Sequence, residues 1–357
     1  MDDFFEIDFL DVESSRSGDA IPMRYEIDGI TRIHVTDGGF LRTGDSLVEH
    51  VKSYYGNPQR IDAVVVTHPD GDHAAGLRSL FGEFEITEIW MLRPWLYADT
   101  LIDRFSRFKS VESLKARLKE IYPNIAALEE LAEDYGVTIK EPFQGERIGE
   151  FFVLAPSISR YLDLVVDSEK TPESKRIEEN TLLTELGFIA KSVINNIRSL
   201  WGEEYFPPDD TSAENNMSVV QFANICNKNI LLTGDAGRAA LEESIEFAPL
   251  VGLNLPGLDY VQVPHHGSRH NVSSELLDKL LGKSYPSKLE SSHFTAVVSA
   301  AKKDEDHPRK SVVRAFIHRG ATVVTTENGN IRVGYNKPPR EGWSVVEPLP
   351  YPEEQED

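Results

Sequence analysis

The sequence predicts an α/β fold for three reasons. Short runs of β-branched and aromatic residues alternate with segments of helical periodicity along the 357-residue chain. The run IDAVVV at 61–66 stops abruptly in the polar turn THPDGDHAAGL, and α/β folds bind ligands at the carboxyl ends of their strands. The length exceeds what one small domain needs and fits either two modest domains or one large α/β sandwich.

The first 66 residues are predicted to be mostly strands with one helix. FFEIDFLDV alternates loosely, and MRYEIDG and TRIHVTDGG are typical of a hairpin that turns at Asp28–Gly29. Residues 44–56 place Leu47, Val48 and Val51 at helical spacing, which predicts a helix there. IDAVVV is typical of a buried strand in a parallel arrangement.

Helical patterns dominate residues 93–210. We predict one helix over 100–121, a second over 124–135 and a third from Thr171 to Trp201. Strand patterns lie before, between and after these blocks, and those strands need partners. We therefore interpret the blocks as helical insertions at about 93–136 and 158–210 in a single domain spanning 1–347. A separate helical domain is the alternative.

Strand patterns resume at residue 217 with MSVVQFANI, ILLTGDA, DYVQVPHHGS and FTAVVSA. The first of these is followed by a turn, and the other three end in or near polar groups. The segment GATVVTTENGNIRVGY is predicted to close the chain as a hairpin that turns at Asn328–Gly329. Residues 348–357 form an acidic, Pro-rich tail that we expect to be disordered.

Composition excludes several classes of protein. Apolar residues make up 40% and charged residues 27%, which is typical of a globular chain, and no apolar run is long enough for a membrane span. The single cysteine and the lack of a Cys/His cluster argue against a thiolate metal site and favour a reducing cytoplasm. The net charge of −22 argues against a non-specific nucleic-acid coat protein. It does not exclude a nuclease, because bound cations reverse the sign locally.

Four strand ends, far apart in the sequence, carry groups that bind divalent cations. Singly, each has an ordinary explanation as a turn or a solvated loop. Paired histidines after a strand are rarer, because desolvating two imidazoles without a ligand is unfavourable. Together these groups predict a metal site, and they are His68, Asp70, Asp72, His73, Asp235, His265, His266 and His307.

The segments VTDGG, THPDGDHAAGL, LLTGDA and VPHHGS resemble the successive metal-binding motifs of the metallo-β-lactamase fold. The most similar variant that we recognise is the soluble hydrolase domain of the DNA-uptake channel protein ComEC. That variant shares FLDV…GDA at 9–20, Asn-x-Ser at 216–218 and a late His-Pro at 307–308. The resemblance covers roughly residues 5–92, 137–156 and 215–335. It implies a four-layer αββα sandwich with a metal site along one edge of the two sheets.

The resemblance also assigns roles within the site. His68 and Asp70 would hold one metal, and Asp72 and His73 would hold or orient the second. Asp235 would bridge both metals, and His266 would be a further ligand. The remaining assignments are a substrate-contacting or supporting role for His265, a hydrogen-bonding role behind the metal loop for Asp37, and a ligand position for Asn216.

Two of these positions depart from the usual pattern of the fold, because Asp70 and Asn216 stand where histidines are common. An oxygen-rich site is harder, which shifts its preference from Zn²⁺ toward Mn²⁺ or Mg²⁺. We expect two divalent ions, Mn²⁺ or Zn²⁺ with Mg²⁺ as a further option, although a single ion is the open alternative.

These features predict a metal-dependent hydrolase. Two cations about 3.5–4 Å apart would lower the pKa of a water between them and so supply a nucleophile for a phosphorus or a carbonyl carbon. Asp72 would orient this nucleophile or accept its proton. His265 and His307 would bind a phosphate oxygen or protonate the leaving oxygen. For His307, a solvated loop position is an equally good interpretation.

The resemblance favours phosphodiesters as substrates, as in a phosphodiesterase or nuclease. Basic stretches at 93–119 and 302–319 give modest support for a nucleic-acid partner, although ordinary solvated helix faces explain such runs more often. A hydrolase of small esters, lactones or nucleotides is the first alternative. A non-catalytic interaction protein that docks through the insertions is the second. We expect no membrane partner, and the oligomeric state stays open.

Overall fold

Two mixed β-sheets form the centre of the molecule in the computed structural model, which describes residues 3–12, 15–171 and 204–353. Within this part of the chain, each sheet has seven strands. The first sheet has the order β14-β1-β2-β3-β4-β5-β6, with β1 Phe4–Phe9, β2 Ala20–Ile27, β3 Ile30–Gly38, β4 Arg60–Val65, β5 Glu85–Trp90, β6 Thr138–Lys140 and β14 Ile331–Tyr335. The second has the order β13-β12-β11-β10-β9-β8-β7, with β7 Arg147–Ile148, β8 Phe151–Ala155, β9 Val220–Ile225, β10 Lys228–Leu232, β11 Tyr260–Gln262, β12 Phe294–Val298 and β13 Ala321–Thr325.

Both sheets change from antiparallel to parallel pairing part of the way across. Strands β3 to β6 run parallel to one another, and so do β10 to β13. The predicted parallel strand is β4, and the predicted hairpin between β2 and β3 turns at Asp28–Gly29, where both residues have positive φ. These two predictions are confirmed.

The helices of the described residues connect the strands. They are α1 Thr43–Tyr54, α2 Gly71–Ala74, α3 Ala98–Leu101, α4 Val111–Ile121, α5 Pro123–Asp134, α6 Ile158–Asp167, α7 Ala213–Asn216, α8 Arg238–Phe247, α9 Ser274–Leu281 and α10 Lys310–Ile317. None of them is long and apolar enough to cross a bilayer.

Three apolar clusters define the layers. One contains residues of both sheets, among them Phe9, Phe151 and Leu232, and so lies between the sheets. A second joins the first sheet to α1, α4 and α5, and a third joins the second sheet to α8, α9 and α10. Because each sheet buries one face against the other sheet and one against helices, the architecture is the predicted αββα sandwich.

The predicted helix over 100–121 is wrong in its continuity. The structure has α3, a short 3₁₀ turn at Ile102–Arg104, and then α4, with no helix at 105–110. The Ser110 side chain accepts a hydrogen bond from the Ser113 backbone amide at 3.2 Å, so Ser110 caps the start of a new helix. The sequence did not reveal this break, because Phe105 is buried like the apolar residues of the helices although it is not helical. The helix predicted from Thr171 to Trp201 falls almost wholly on 172–203, outside the described residues.

The predicted closing hairpin is also wrong. β13 pairs with β12 in the second sheet, whereas β14 pairs with β1 in the first. The Asn328–Gly329 turn therefore carries the chain across the sandwich, and Val324 and Ile331 both reach the core between the sheets. Alternating apolar residues predict two strands and a turn, but they do not specify which partner each strand takes.

The described part of the tail, residues 348–353, is not the disordered segment that we expected. The Leu349 backbone amide donates to the Val323 carbonyl at 2.8 Å, and Tyr351 stacks on His318 with ring centroids 5.7 Å apart.

Phe151 tests the core between the sheets. Its side chain is 0% exposed and contacts the Tyr25 and His34 rings. Phe151→Ala should lower the free energy of unfolding by about 3–5 kcal/mol, because it removes a buried ring and leaves a cavity. Leu250, which is 77% exposed, provides the control, and Leu250→Ala should change that free energy by less than about 0.5 kcal/mol. Denaturant titration measures both values, and equal stability of the two variants would contradict this packing.

Candidate metal centre

The site lies where the loops after β4, β10 and β11 meet. His68 and His73 follow β4, Asp235 follows β10, and His265 and His266 follow β11. Both sheets are parallel in this region, so these strand ends reach the same edge of the sandwich. Residues separated by up to almost 200 positions in the sequence thus become neighbours.

The Asp235 carboxylate is surrounded by imidazoles. The His73 Nε2 and His266 Nε2 atoms lie 3.3 and 3.6 Å from Asp235 Oδ1. On the other side, His265 Nε2 and His68 Nε2 lie 3.5 and 3.8 Å from Asp235 Oδ2. One carboxylate therefore lies close to four histidine rings, which is more than a carboxylate needs as a hydrogen-bond acceptor alone.

The atoms at the centre of this group have no hydrogen-bond partner. His68 Nε2, His73 Nε2, His266 Nε2 and Asp235 Oδ1 are all buried and unpaired. Burying an unpaired polar atom costs about 1–3 kcal/mol, so four together would be strongly unfavourable without a ligand. Imidazole nitrogen and carboxylate oxygen are the ligands that divalent transition metals prefer. The residues present therefore fit a divalent cation.

The outer nitrogens of two rings fix the direction of the inner lone pairs. His266 Nδ1 donates to the Ser299 carbonyl at 2.8 Å, and His73 Nδ1 donates to Asp37 Oδ2 at 2.8 Å. Because each Nδ1 proton is taken by its acceptor, Nε2 is the ring nitrogen that points toward Asp235 and is left to bind an ion. A metal ligand requires this orientation.

Asp37 supports the metal loop through three contacts. Its carboxylate accepts from the Thr67 backbone amide at 2.8 Å and the Thr67 hydroxyl at 2.6 Å, in addition to His73. It is fully buried and has a φ of 56°. Asp37 thus holds the start of the HPDGDH turn and one of its histidines in a single arrangement.

Electrostatics within the site favour a bound cation. Burial alone would raise the pKa of Asp235, but the charges of His265, His73 and His266 hold it well below its usual value. Burial, together with the charge of His73, lowers the pKa of His68 and keeps its ring neutral. The centre thus combines a charged carboxylate with a neutral imidazole, as a cation requires.

His/Asp groups that could hold an ion overlap at this centre. Within the described residues these groups are His68–His73–Asp235, Asp72–His73–His266, Asp19–Asp235–His266 and Asp19–Asp37–His73. The structure therefore brings together five of the predicted metal residues, His68, Asp72, His73, Asp235 and His266.

Sequence reasoning did not assign Asp19 to the site. Its side chain is buried, Oδ2 accepts from Gln262 Nε2 at 2.7 Å, and Oδ1 has no partner. Burial raises the pKa of this carboxyl group. The Gly-Asp pair at 18–19 is the sequence signal that could have indicated Asp19. A Cβ on Gly18 would lie 2.6 Å from the Asp72 carbonyl oxygen, so only glycine lets this segment approach the HPDGDH turn.

Two predicted ligands make other contacts. Asp70 is in none of the four groups, and its carboxylate forms an ion pair with Lys170. The Asn216 side-chain oxygen accepts from Arg160 Nη2 at 3.0 Å, while its Nδ2 donates to Asp210 at 3.1 Å.

His265 and His307 lie at the partly open rim of the site. Their side chains are 25% and 21% exposed, and their ring centroids are 5.5 Å apart. His307 Nδ1 lies 3.3 Å from Asp304 Oδ2, which in turn accepts from the Ser17 amide and hydroxyl at 2.9 and 2.7 Å. The fold thus holds both of these histidines, which the sequence suggested as catalytic residues, beside the buried centre.

Many cations of the two basic stretches are paired with acids. In the first stretch, the pairs are Arg93–Glu129, Lys119–Glu129, Arg104–Asp163 and Arg117–Glu120. In the second, Arg309 pairs with Asp306, and the buried Arg319 pairs with Glu204 and Asp278. These pairs reduce the positive potential that the sequence alone indicates.

Comparisons with known proteins agree with this architecture. The Metallo-beta-lactamase superfamily matches residues 35–133, which include the HPDGDH turn. A comparison with curated proteins found no match.

Several solved structures are similar to this chain at low identity. A CmlA β-hydroxylase variant is 11% identical, with a TM-score of 0.44, over 92% of this chain and 53% of that chain, so this chain spans about half the length of that protein. A diphosphatase from the PhnP family is 10% identical, with a TM-score of 0.38, over 93% and 98% of the two chains. A protein titled a possible metal-dependent hydrolase, from Veillonella parvula DSM 2008, is 9% identical, with a TM-score of 0.38, over 91% and 98%.

The chain has the metallo-β-lactamase fold, with two mixed sheets, flanking helices and a buried His/Asp site suited to divalent metal. The narrower likeness to the ComEC hydrolase domain stays a prediction.

Asp37→Asn tests how the metal loop is supported. The amide can no longer hold His73 and Thr67 as the carboxylate does, so affinity for Zn²⁺ or Mn²⁺ should fall by about 10–100-fold. Competition with a fluorescent chelator measures this affinity. Asp28→Asn makes the same chemical change on an exposed turn and should leave the affinity unchanged. If both variants bind metal equally well, Asp37 does not support the centre.

Proposed function

We propose that the chain is a metal-dependent phosphodiester hydrolase. The observation that carries this proposal is the unpaired His/Asp centre around Asp235, with Lys170, His265 and His307 beside it. The centre supports a metallo-hydrolase, and the three donors support an anionic substrate.

The residues of the centre have separate tasks. His73, His266 and Asp235 hold a divalent cation, for which we propose Mn²⁺ or Zn²⁺, with Asp72 at the partly exposed side. A cation bound there supplies Lewis-acid polarisation of a phosphoryl oxygen and a lowered pKa of water. The Asp72 carboxylate orients the attacking water by accepting a hydrogen bond from it and is placed to accept its proton.

Phosphodiesters fit the rim better than neutral esters do. A phosphodiester carries one negative charge, and the chain as a whole repels anions at a net charge of −22. An anionic substrate therefore needs local donors. The Lys170 and His265 side chains are 43% and 25% exposed, so they can meet non-bridging oxygens.

His307 is suited to the leaving oxygen. The Asp304 carboxylate lies at Nδ1 and orients the ring, and Ser17 fixes that carboxylate in turn. A ring held in this way can present its other nitrogen to a departing alkoxide and protonate it.

A small phosphodiester, such as a nucleotide derivative, is the second candidate substrate class. The ion pairs within both basic stretches favour it over long nucleic acids, because paired cations contribute little to counterion release. A nuclease would need other positive surface to bind a polymer.

Asp235→Asn tests the centre. Because the amide loses the charge that the cation requires, Mn²⁺- or Zn²⁺-dependent hydrolysis of bis(4-nitrophenyl) phosphate should fall at least about 100-fold, while the circular dichroism spectrum stays the same. Asp28→Asn is the matched control and should retain full activity. Unchanged turnover in Asp235→Asn would overturn the proposed function.

The same assay on labelled DNA, RNA, cyclic dinucleotides and carboxylic esters separates the substrate classes. We expect phosphodiester cleavage to exceed ester cleavage. Cleavage of carboxylic esters alone would contradict the phosphodiester proposal.

His307→Ala tests protonation of the leaving group. The rate should fall by about 10²–10⁴-fold for phosphodiesters with an alkyl leaving group. The rate should change little for phosphodiesters with a 4-nitrophenyl leaving group, because 4-nitrophenolate leaves without being protonated. His318→Ala, which removes a histidine that contacts Tyr285 and Tyr351, is the control. Equal losses on both substrates would show that His307 does not act on the leaving oxygen.

A further inference from the structure

Asp19 is a buried carboxylate whose position is set by the backbone on both of its sides. Its side chain is 1% exposed. Its backbone amide donates to the Asp72 carbonyl at 3.1 Å, and its backbone carbonyl accepts from the Gly39 amide at 2.6 Å. The main chain at Asp19 is therefore joined to the HPDGDH turn and to the residue that follows strand β3.

Gln262 of strand β11 determines how the Asp19 carboxylate is oriented. The Gln262 Oε1 atom accepts from the Thr233 and Gly234 backbone amides at 2.9 and 3.0 Å. Because a backbone amide only donates, these two contacts identify the oxygen of the Gln262 side chain. Its Nε2 atom is then the donor to Asp19 Oδ2 at 2.7 Å. One oxygen of Asp19 is thus occupied by a hydrogen bond from the second sheet.

The other oxygen of Asp19 faces the centre of the site without a partner. Among the described residues, Asp19 Oδ1, Asp235 Oδ1 and His266 Nε2 are all buried and unpaired. One ligand atom from each of these three residues lies within 4.8 Å of the other two. Two carboxylates this close repel each other, and each unpaired oxygen has lost its contacts with water. A cation bound by the three residues compensates both effects at once.

A further carboxylate also changes which ion the centre prefers. Asp19, Asp72 and Asp235 offer oxygen ligands, whereas His73 and His266 offer imidazole nitrogens. Oxygen ligands suit Mn²⁺, while Zn²⁺ binds well to imidazole. Asp19 should therefore contribute more to the binding of Mn²⁺ than to the binding of Zn²⁺.

We propose that Asp19 is a ligand of the divalent ion at Asp235 and that Gln262 determines which Asp19 oxygen faces this ion. The ligand reaches the centre from the loop before β2, whereas the other ligands follow strands β4, β10 and β11. Asp19 has this role only if the ion of the proposed function is present, whatever the substrate is.

Asp19→Asn tests whether Asp19 binds the ion. Affinity for Mn²⁺ should fall at least about 10–100-fold, because losing a ligand costs no less than losing a group that supports one. Affinity for Zn²⁺ should fall by a smaller factor, and competition with a fluorescent chelator measures both. Asp28→Asn, on an exposed turn, is the matched control and should change neither affinity. Unchanged Mn²⁺ affinity would overturn the proposal. So would equal losses for the two ions, because a carboxylate that acts only through its charge affects two divalent ions alike.

Asp19→Ala tests the part played by Gln262. In Asp19→Asn, the Gln262 donor takes the single side-chain oxygen, so that the new NH₂ group faces the centre and cannot bind an ion. Asp19→Ala leaves space for a water molecule instead. It should therefore bind Mn²⁺ more tightly than Asp19→Asn does. Equal or tighter binding by Asp19→Asn would show that Gln262 does not orient Asp19.

The unaltered chain provides a measurement that needs no variant to fold. In crystals loaded with Zn²⁺, anomalous diffraction should place the ion about 2.0–2.2 Å from an Asp19 oxygen as well as from Asp235. An ion that binds Asp235 but lies more than about 3 Å from Asp19 would overturn this role and leave the proposed function standing. The absence of any ion at Asp235 would overturn the proposed function itself.

Discussion

The contact between Asp235 and the surrounding histidines is the constraint on which the rest of the site depends. Asp235 lies in a loop of the second sheet, and His68 and His73 lie in the turn that follows β4 of the first sheet, so this contact joins the two sheets. Without a cation, three buried ring nitrogens and a carboxylate oxygen would remain unpaired at this junction. The parallel halves of both sheets and the support of Asp37 all place these atoms together.

Prediction from sequence succeeded where local chemistry determines structure. The HPDGDH turn, the Gly-Asp after β10 and the paired histidines after β11 all reach one edge, because each follows a strand in a parallel region. It failed where partners are distant. Alternation in 321–335 predicts two strands but not that they lie in different sheets, and the apolar spacing at 100–121 does not show the cap at Ser110. Asp19 went unassigned because a lone Gly-Asp pair is ordinary until its burial is known.

The segment around α6 brings positive side chains to the HPDGDH turn. In a chain of net charge −22, Lys170 pairs with Asp70 of this turn, and Arg160 donates to the Asn216 side-chain oxygen.

Every role proposed for the site requires a divalent ion bound at Asp235. Anomalous diffraction from crystals loaded with Zn²⁺ or Mn²⁺ tests it most directly, because it locates the metal without reference to activity. We expect an anomalous peak about 2.0–2.2 Å from His73 Nε2, His266 Nε2 and an Asp235 oxygen. Density without an anomalous peak at that position, or a peak only at a distant site, would contradict it.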